Sequence, residues 1–294
     1  MAIILLTGGT GLIGQTLEKQ LQKNNHKVRI LTRTPKLKNH FKWDIKAGFI
    51  DKKAFENLDF IIHLAGAGIA DKRWTDERKK VLINSRVDSS NLLFSKIKEL
   101  KVPLKGFISA SGIGYYGALT SSKIYTEEDE PANDFISKIC IEWEASAQQF
   151  NKLNVPVTIL RTGVVLSKDG GALKKMNTPL FLSALGSGKQ FVPWIHITDL
   201  CNLYVKAIED DSFTGIYNAV APEHKTNKDF TKVLGKVVKK PVLPINAPSI
   251  ILKLVLGELA AIVLEGSRIS SEKLKPIYNF EFSELKNALK EIYN

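Results

Sequence analysis

The first half of the chain alternates short apolar runs with longer segments of helical spacing. The apolar runs have the length of buried strands and lie at residues 3–6, 27–32, 60–64, 106–109 and 155–160. The segments between them that repeat apolar residues at helical spacing lie at residues 12–22, 76–100 and 134–150. Strands that alternate with helices of this length form βαβ units with right-handed crossovers. The pattern therefore predicts an α/β protein with a doubly wound parallel sheet.

The pattern changes after about residue 165, where glycine and proline become frequent. Short segments follow, with predicted helices near residues 199–210, 226–238, 249–264 and 284–291. We expect a smaller C-terminal α/β lobe that packs across the edge of the sheet and returns one strand to it near residues 190–220. The chain is accordingly divided into a sheet domain of residues 1–165 with the returning strand, lobe elements at 166–247, and a helical C-terminal segment at 248–294.

Two apolar stretches bear on membrane association. The run at residues 2–7 ends in glycines and has no basic residues before it, which is unlike a signal peptide. The stretch at residues 245–264 is interrupted by Lys253, Gly257 and Glu258. A spanning helix needs about 20 consecutive apolar residues, so we interpret this stretch as two packed amphipathic helices and expect no membrane partner.

Charge and cysteine content exclude several other classes. The net charge is +12, but the basic residues are scattered along the chain and form no basic helix. A lysine-rich solvated surface, which also steers anionic ligands, is therefore favoured over a nucleic-acid interface. Cys140 and Cys201 have no partner spacing, so we expect no disulfide and no metal site. A reducing, cytoplasmic compartment fits this composition best.

A glycine-rich loop is the strongest motif in the chain. Gly8, Gly11 and Gly14 follow the first predicted strand and open the first predicted helix. In a dinucleotide-binding loop these positions allow the tight turn, the approach of backbone to pyrophosphate, and close helix–sheet packing. The helix N-terminus offers free N–H groups to the phosphates. The sequence therefore predicts a Rossmann-type cofactor site formed by Gly8, Gly9, Thr10, Gly11, Leu12, Ile13 and Gly14.

The end of the second predicted strand favours NADP(H) over NAD(H). NAD sites usually carry an acidic residue there for the ribose 2′-hydroxyl. Here the strand ends with Thr32 and Arg33, and no carboxylate is present. A guanidinium and a hydroxyl are suited to a 2′-phosphate. The alternative is that Arg33 is only a solvated loop residue. His63, in the next loop, is interpreted as a packed or backbone-bonded residue.

Further motifs resemble a known family. The broad resemblance is to extended short-chain dehydrogenase/reductases and rests on the glycine loop, His63-Leu64-Ala65-Gly66, Ser109-Ala110-Ser111 and Tyr115-Tyr116-Gly117. A narrower resemblance, to the YfcH-like epimerase family proteins, rests on Arg73-Trp74-Thr75, Asn84-Ser85-Arg86, Trp143-Glu144, residues 160–166, Gly170-Gly171-Ala172, residues 193–200 and residues 218–222. The tail, from Pro248 through Gly257-Glu258 to Ala288-Leu289, resembles that branch's C-terminal domain of unassigned function.

The resemblance implies a set of cofactor contacts. Thr32 and Arg33 would bind the 2′-phosphate, and Leu64, Ala65 and Gly66 would line the path of the cofactor. Arg86 and Arg161 would also contact it. Each arginine is expected at a strand or helix end that faces a cleft holding a multiply charged anion. For Arg86 the alternative is an ordinary solvated helix residue.

The usual catalytic pair of this superfamily is missing. Working members carry Tyr-x-x-x-Lys on the helix that here begins at Asp134, and the lysine lowers the pKa of the tyrosine that moves the proton. If Glu144 is the glutamate that follows the lysine by four residues, the two positions are Ile136 and Cys140. Neither can perform the role, and Lys138 points to a different face. The resemblance implies that the branch itself lacks the pair.

Substitute groups are present near the expected site. Ser111, Tyr115 and Tyr116 follow the strand at residues 106–109, and one of the two phenols is the candidate proton donor. The alternative is that both tyrosines only pack. Substrate contacts are expected from Arg73, Trp74, Trp194 and His196, although His196 is favoured as a structural hydrogen-bonding residue.

Two functions of different class remain open at this point. The first is an NADP(H)-dependent oxidoreductase or epimerase that acts on a small polar, nucleotide-linked substrate. The second is an NADP(H)-binding sensor or scaffold without turnover, which the missing Tyr/Lys pair favours. Nucleic-acid binding is not expected, and a homodimer is compatible with either reading.

Overall fold

An eight-stranded sheet forms the centre of the computed structural model, which describes residues 1–293. In chain order the strands are β1 (Ile3–Thr7), β2 (Lys27–Thr32), β3 (His40–Asp44), β4 (Phe49–Ile50), β5 (Phe60–His63), β6 (Gly106–Gly112), β7 (Ile124–Tyr125), β8 (Val157–Thr162), β9 (Val164–Leu166), β10 (Trp194–His196), β11 (Gly215–Ala219) and β12 (Arg268–Ile269). The order across the large sheet is β11-β8-β6-β5-β1-β2-β3-β4. Its pairs are parallel apart from the antiparallel β3–β4 pair.

Helices cover both faces of this sheet. They are α1 (Leu12–Lys23), α2 (Asp76–Leu100), α3 (Phe135–Gln148), α4 (Ala172–Met176), α5 (Ile197–Glu209), α6 (Asn227–Val237), α7 (Ser249–Leu256), α8 (Ala261–Leu264) and α9 (Leu285–Tyr293). One face buries α1 and α5 in a core that includes Leu17, Leu21 and Leu203. The other buries α2 and α3 through Leu93 and Ala147. The doubly wound α/β fold predicted from the sequence is confirmed.

The strand order reverses between β1 and β5. From β1 the chain builds outward to β2 and β3 on one side, and from β5 outward to β6, β8 and β11 on the other. Such a reversal opens a crevice at the carboxyl ends of the strands, where ligands of open α/β sheets bind. The glycine loop after β1 and the loop after β5 therefore meet at one point of this edge.

Side-chain caps fix where the long helices begin. The Thr75 hydroxyl accepts a hydrogen bond from Arg78 N at 3.2 Å at the start of α2, and the Asp134 carboxylate accepts one from Ser137 N at 2.9 Å at the start of α3. Each cap satisfies a backbone donor that a helix N-terminus leaves without an intrahelical partner. The two caps hold the ends of α2 and α3 that lie beside the crevice.

The C-terminal lobe has its own small core. It packs β9, β10, α4, α6 and α9 around Leu166, Trp194, Phe230 and Leu289. Strand β11 leaves the lobe and pairs with β8 in parallel, from Gly215 opposite Thr158 to Ala219 opposite Thr162. The division into residues 1–165, 166–247 and 248–294 stays a prediction.

Helix α7 corrects the expectation of two packed helices in residues 245–264. No residue of α7 is buried, whereas Leu259, Ala260 and Leu264 just after it are. Nearly every residue of this eight-residue helix is aliphatic, so one packed side cannot cover them all. None of the helices within residues 1–293 is long and apolar enough to cross a membrane.

Candidate cofactor and active site

The glycine loop forms a cradle of backbone between β1 and α1. Gly8 has φ +68°, and a Cβ there would lie 2.8 Å from the Leu64 carbonyl oxygen. A Cβ on Gly14 would lie 2.3 Å from the Gly8 carbonyl oxygen. Both positions therefore require glycine: a side chain at Gly8 would push the loops after β1 and β5 apart, and one at Gly14 would push α1 away from the glycine loop. The first-turn N–H groups of α1, which begins at Leu12, lie at the crevice without intrahelical acceptors.

A threonine that sequence reasoning did not select holds this cradle in place. The Thr7 hydroxyl, fully buried at the end of β1, accepts hydrogen bonds from Leu64 N and Ala65 N at 3.1 Å each. It fixes the Leu64–Gly66 loop against the glycine loop. The only sequence signal was a polar residue at the end of an apolar strand directly before the glycines.

Thr32 and Arg33 end β2 on the same edge of the sheet. The β1–β2 register places Leu31 opposite Thr7, so Arg33 lies two residues beyond the end of β1, at the level of Gly9 in the glycine loop. Its side chain is exposed. Thr32 uses its hydroxyl to accept a hydrogen bond from Thr34 N at 3.3 Å. Within residues 1–293 no hydrogen bond or ion pair engages the Arg33 side chain, so its guanidinium is available at the carboxyl edge of the sheet.

Arg86 is a buried cation that forms no ion pair within the described part of the chain. It is 6% exposed, lies beneath Gly66 and donates to the carbonyl oxygens of Leu82 at 2.8 Å and Ala67 at 3.1 Å. Its Nε is buried without a hydrogen-bond partner. Burial lowers the pKa of Arg86 to about 10. A buried guanidinium with a free donor is suited to an external anion.

His63 is a neutral packing residue and has no catalytic geometry. Trp143 Nε1 donates to its Nδ1 at 3.3 Å, so its Nε2 carries the proton and donates to the Ser89 hydroxyl at 2.8 Å. Burial, together with the charge of Arg86, lowers the pKa of His63 to about 3. The packed interpretation agrees with this geometry, although its hydrogen bonds go to side chains and not to backbone.

Arg161 forms an internal ion pair, which differs from the cofactor contact that the resemblance implies. Its Nε and Nη2 donate to the two oxygens of Glu144 at 2.8 Å each, and its Nη1 donates to the Tyr116 hydroxyl at 3.0 Å. Burial alone would lower the pKa of Arg161, but the hydrogen bonds and charge of Glu144 outweigh it and raise the pKa. All three nitrogens are bonded to protein, so this geometry does not support a cofactor contact.

The candidate catalytic residues lie around this ion pair. Ser111 donates its hydroxyl proton to Glu144 at 2.7 Å. The Tyr116 hydroxyl donates to the Asn218 side chain at 2.7 Å, and burial raises the pKa of Tyr116 to about 12. This is the wrong direction for a phenol that must ionise near neutral pH. Tyr116 is therefore a packing residue, in agreement with the alternative stated for it.

Tyr115 differs from its neighbour in exposure. It is half-buried, and the guanidinium carbon of Arg161 lies 3.4 Å from the centre of its ring. Its hydroxyl has no hydrogen-bond partner among residues 1–293, while its carbonyl oxygen accepts a bond from Ser137. Of the three candidates it is the one whose proton is not committed to the protein.

Ile136 and Cys140 occupy the positions of the missing tyrosine and lysine. Both face the turn after β6, since a Cβ on Gly114 would lie 2.6 Å from Ile136 and 3.5 Å from the Cys140 sulfur. Burial, and next the charge of Glu144, raises the pKa of Cys140 to about 12, so it stays a neutral thiol. Lys138 is exposed and lies 3.8 Å from Glu142, away from this turn. Within the described residues, the positions of the Tyr-x-x-x-Lys pair are therefore occupied by Ile136 and Cys140, and Lys138 does not replace the missing lysine.

The expected substrate contacts are largely corrected by the structure. Trp194 is fully buried in the lobe core. His196 is also buried: its Nδ1 accepts from Thr198 N at 3.3 Å, which caps α5, and its Nε2 lies 3.0 Å from Glu291. Burial lowers the pKa of His196 in spite of that carboxylate. Neither residue can reach a substrate in the crevice, because apolar packing and helix capping already engage both.

Arg73 and Trp74 belong to the loop before α2. Trp74 is buried, donates to the Ile69 carbonyl oxygen at 3.0 Å and packs edge-on against Phe135 at 5.1 Å, so it is a packing residue and not a substrate contact. Arg73 is exposed and lies against Gly257, at the end of α7. Its substrate role stays a prediction. No cluster of metal ligands exists within residues 1–293.

The fold and the crevice define an atypical short-chain dehydrogenase/reductase. Residues 4–219 match the NAD dependent epimerase/dehydratase family, and residues 247–292 match a domain of unknown function, DUF1731. An epimerase family protein of Staphylococcus aureus (strain NCTC 8325) is 36% identical, with 98% of each chain covered. The mouse epimerase family protein SDR39U1 is 34% identical over 98% of this chain and 99% of the relative. The chain therefore belongs to the NAD dependent epimerase/dehydratase family.

Solved structures agree with this assignment. The human epimerase family protein SDR39U1 (isoform 2), crystallised with NADPH, superposes with a TM-score of 0.87 at 31% identity over 99% of both chains. UDP-N-acetylglucosamine 4-epimerase from Bacillus cereus superposes with a TM-score of 0.79 at 16% identity, which shows the fold alone. The resemblance found in the sequence is confirmed.

Proposed function

We propose that the chain binds NADP(H) along the carboxyl edge of its sheet. The observation that carries this proposal is the backbone cradle at Gly8 and Gly14, where a Cβ would fill the space and the first N–H groups of α1 are free. The NADPH in the human relative supports the same cofactor class. Family membership alone supports a nicotinamide cofactor without choosing between NADP and NAD.

The residues on the crevice fit this cofactor part by part. The glycine loop would hold the diphosphate through main-chain N–H groups. Thr32 and the exposed Arg33 would hold the 2′-phosphate, since β2 ends without a carboxylate. Arg86 would supply a cation under Gly66, where its Nε has no protein partner. An isolated buried donor is costly unless it finds an acceptor, which supports a ligand on this side.

The reaction we propose is an oxidoreduction or epimerisation of a small polar substrate, of the nucleotide-linked class. Bound NADP(H) would supply or accept the hydride. The chain would supply the accompanying proton from Tyr115, because the hydroxyls of Ser111 and Tyr116 are donated to Glu144 and Asn218. Tyr115 would thus take over the role of the tyrosine that is missing from α3.

A second candidate function is cofactor binding without turnover. Ile136 and Cys140, packed over Gly114, favour it because they remove the group that moves the proton in working members. The two functions differ in one measurement. That measurement is product formation from the substrate class: an oxidoreductase changes the 340 nm absorbance of NADPH, an epimerase forms the epimer with no net change in absorbance, and a sensor binds NADPH and forms no product.

Fluorescence titration of the purified protein with NADPH and NADH tests the cofactor. We expect NADPH to bind at least about 10-fold more tightly, and Arg33→Ala to remove most of that preference, because a charge-assisted pair with phosphate contributes roughly 1.5–3 kcal/mol. Gly8→Ala should abolish binding of both nucleotides, since its Cβ would meet the Leu64 carbonyl.

Gly48→Ala is the matched control for the glycine substitution. Gly48 has φ +63°, close to the +68° of Gly8, but nothing lies within 4 Å of its Cβ position. It should carry a similar backbone strain and bind NADPH normally. Equal binding of NADH and NADPH, or undiminished preference in Arg33→Ala, would contradict the NADP(H) assignment.

A further inference from the structure

Exposed aliphatic side chains are concentrated in one part of the C-terminal lobe. Of the fifteen large hydrophobic residues that are exposed within residues 1–293, eight belong to three segments, one of which is α7. We call them the aliphatic patch: Leu180, Phe181, Leu243, Ile245, Ile250, Ile251, Leu254 and Val255. The segments adjoin, since Leu182 pairs with Val242 and Ala247 N donates to the Ala184 carbonyl oxygen at 2.8 Å.

Helix α7 presents half of this patch, with four of the eight residues. Ile250 and Leu254, four residues apart and therefore on one side of the helix, are 71% and 73% exposed. Leu256, the last residue of α7, packs into the cluster around Trp74 that also contains Ile136. Clustered apolar exposure of this kind marks an interaction site.

A basic depression lies directly beside the patch. It has a volume of about 420 Å³ and is lined by Lys232, Lys236, Lys239, Lys240, Gly235 and Val242, the last of which adjoins Leu243. Asp229, on the same helix, lies 3.9 Å from Lys232, and Lys240 donates to Asn177 and to the Thr178 carbonyl oxygen. Lys228, Lys232 and Lys236 follow each other at four-residue spacing, which is unfavourable on a helix when the charges are alike. An anion in the depression would relieve this repulsion.

Further cations surround α7 itself. Lys253 lies within the helix and is exposed, Arg73 lies against Gly257 at its end, and Lys189 is exposed in the loop next to Lys228. Glu258, the acid at the end of α7, is paired with Lys79 at 2.6 Å. An apolar helix ringed by lysine and arginine is the arrangement that inserts into the headgroup region of a membrane.

We propose that this face docks on an anionic lipid surface. The aliphatic patch would enter the interface, and the basic depression would hold acidic headgroups. A second copy of this chain fits less well, because each copy carries a net charge of +12. An eight-residue helix is also only about 12 Å long. A contact of that length is too small to supply the roughly 800 Å² that each partner of a stable dimer buries. The proposal replaces the sequence-based expectation of no membrane partner, and it concerns a surface contact and not a spanning segment.

Co-sedimentation with vesicles tests the proposal without any cofactor, so its outcome is independent of the proposed function. We expect the full chain to bind vesicles that contain phosphatidylglycerol at about 0.1 M salt, to bind phosphatidylcholine vesicles at least about 10-fold more weakly, and to be released by high salt. Ile250→Glu/Leu254→Glu and Lys232→Glu/Lys236→Glu should each lower partitioning at least about 10-fold.

Val81→Glu/Ile141→Glu is the matched control, since both residues are exposed aliphatics away from the patch and the charge change is the same. It should bind vesicles like the unaltered chain. Leu254→Trp adds a probe whose emission should shift to the blue on binding, because Trp43, Trp74, Trp143 and Trp194 are buried. Circular dichroism melting checks that each variant is folded.

Four results would overturn the proposal. The unaltered chain could fail to bind acidic vesicles, or the control could lose as much binding as the α7 variant. Alternatively, sedimentation velocity could reveal a lipid-free dimer that Ile250→Glu/Leu254→Glu dissociates, which would make a second copy the partner of the patch. Binding that free glycerophosphate abolishes at low concentration would assign the depression to a soluble anion.

Discussion

Two buried arginines, Arg86 on α2 and Arg161 on β8, have opposite surroundings. Arg161, 1% exposed, is bonded to Glu144 and Tyr116 through all its nitrogens. Arg86, 6% exposed, has two carbonyl oxygens and an Nε without a partner. A buried charge that is fully paired is part of the protein's structure. A buried charge that is incompletely paired indicates a ligand. The site therefore has a supporting region around Arg161 and a binding region around Arg86.

The largest expected effect tests the supporting region. Arg161→Met leaves Glu144 charged, buried and unpaired, so we expect the free energy of unfolding to fall by about 3–5 kcal/mol. Denaturant titration measures the loss. Glu144→Gln/Arg161→Met should recover most of it, because no uncompensated charge remains. A large loss of NADPH affinity with unchanged stability would instead restore the cofactor contact that the resemblance implies for Arg161.

The next effect tests the binding region. Arg86→Met removes a cation that has no carboxylate partner, so we expect stability to change by less than about 1 kcal/mol. The Kd for NADPH should rise about 10- to 100-fold, as expected for a lost hydrogen bond to a charged group. Calorimetric titration measures the Kd. An unchanged Kd together with a large loss of stability would place Arg86 in the same class as Arg161.

The smallest effect concerns His63, which is packed near Arg86. Its folded-state pKa of about 3 lies below the ordinary 6.5, so the unfolded chain takes up the proton first as the pH falls. The stabilisation is complete above pH 6.5 and is lost at about 1.4 kcal/mol per pH unit below it. Between pH 7 and 5.5 the chain should lose about 1.4 kcal/mol more than His63→Gln. Equal losses in urea titrations would show that His63 titrates normally.

The residues that the sequence placed correctly are those whose role depends on the backbone near them. Gly8 is required by a positive φ and by its contact with the Leu64 carbonyl, Gly14 by the close approach of α1 to the glycine loop, and their spacing carries that information. The positions of Ile136 and Cys140 followed from the four-residue repeat of a helix face. Arg33 lies where the end of β2 predicts, because parallel strands share one carboxyl edge.

The residues that were misplaced depend on contacts between distant segments. Trp194 was expected at the substrate, but it is buried by elements whose packing is not visible in local periodicity. His196 has the structural hydrogen-bonding role that was favoured for it, but its partner Glu291 lies far along the chain. The Arg161–Glu144 pair joins β8 to α3, and the spacing of the two residues along the chain does not predict it. The exposure of α7 was missed because an apolar sequence pattern is the same whether or not a partner covers it.

The position of β11 has a consequence for how this protein is made. The chain must complete residues 163–214 before the strand that covers β8 is available. Until then β8 is an open edge, with unpaired backbone groups that invite association with other chains. During translation the nascent polypeptide therefore passes through a stage at which the first half of the sheet is nearly complete but still prone to associate through β8. A fragment that ends at residue 165 would keep this open edge.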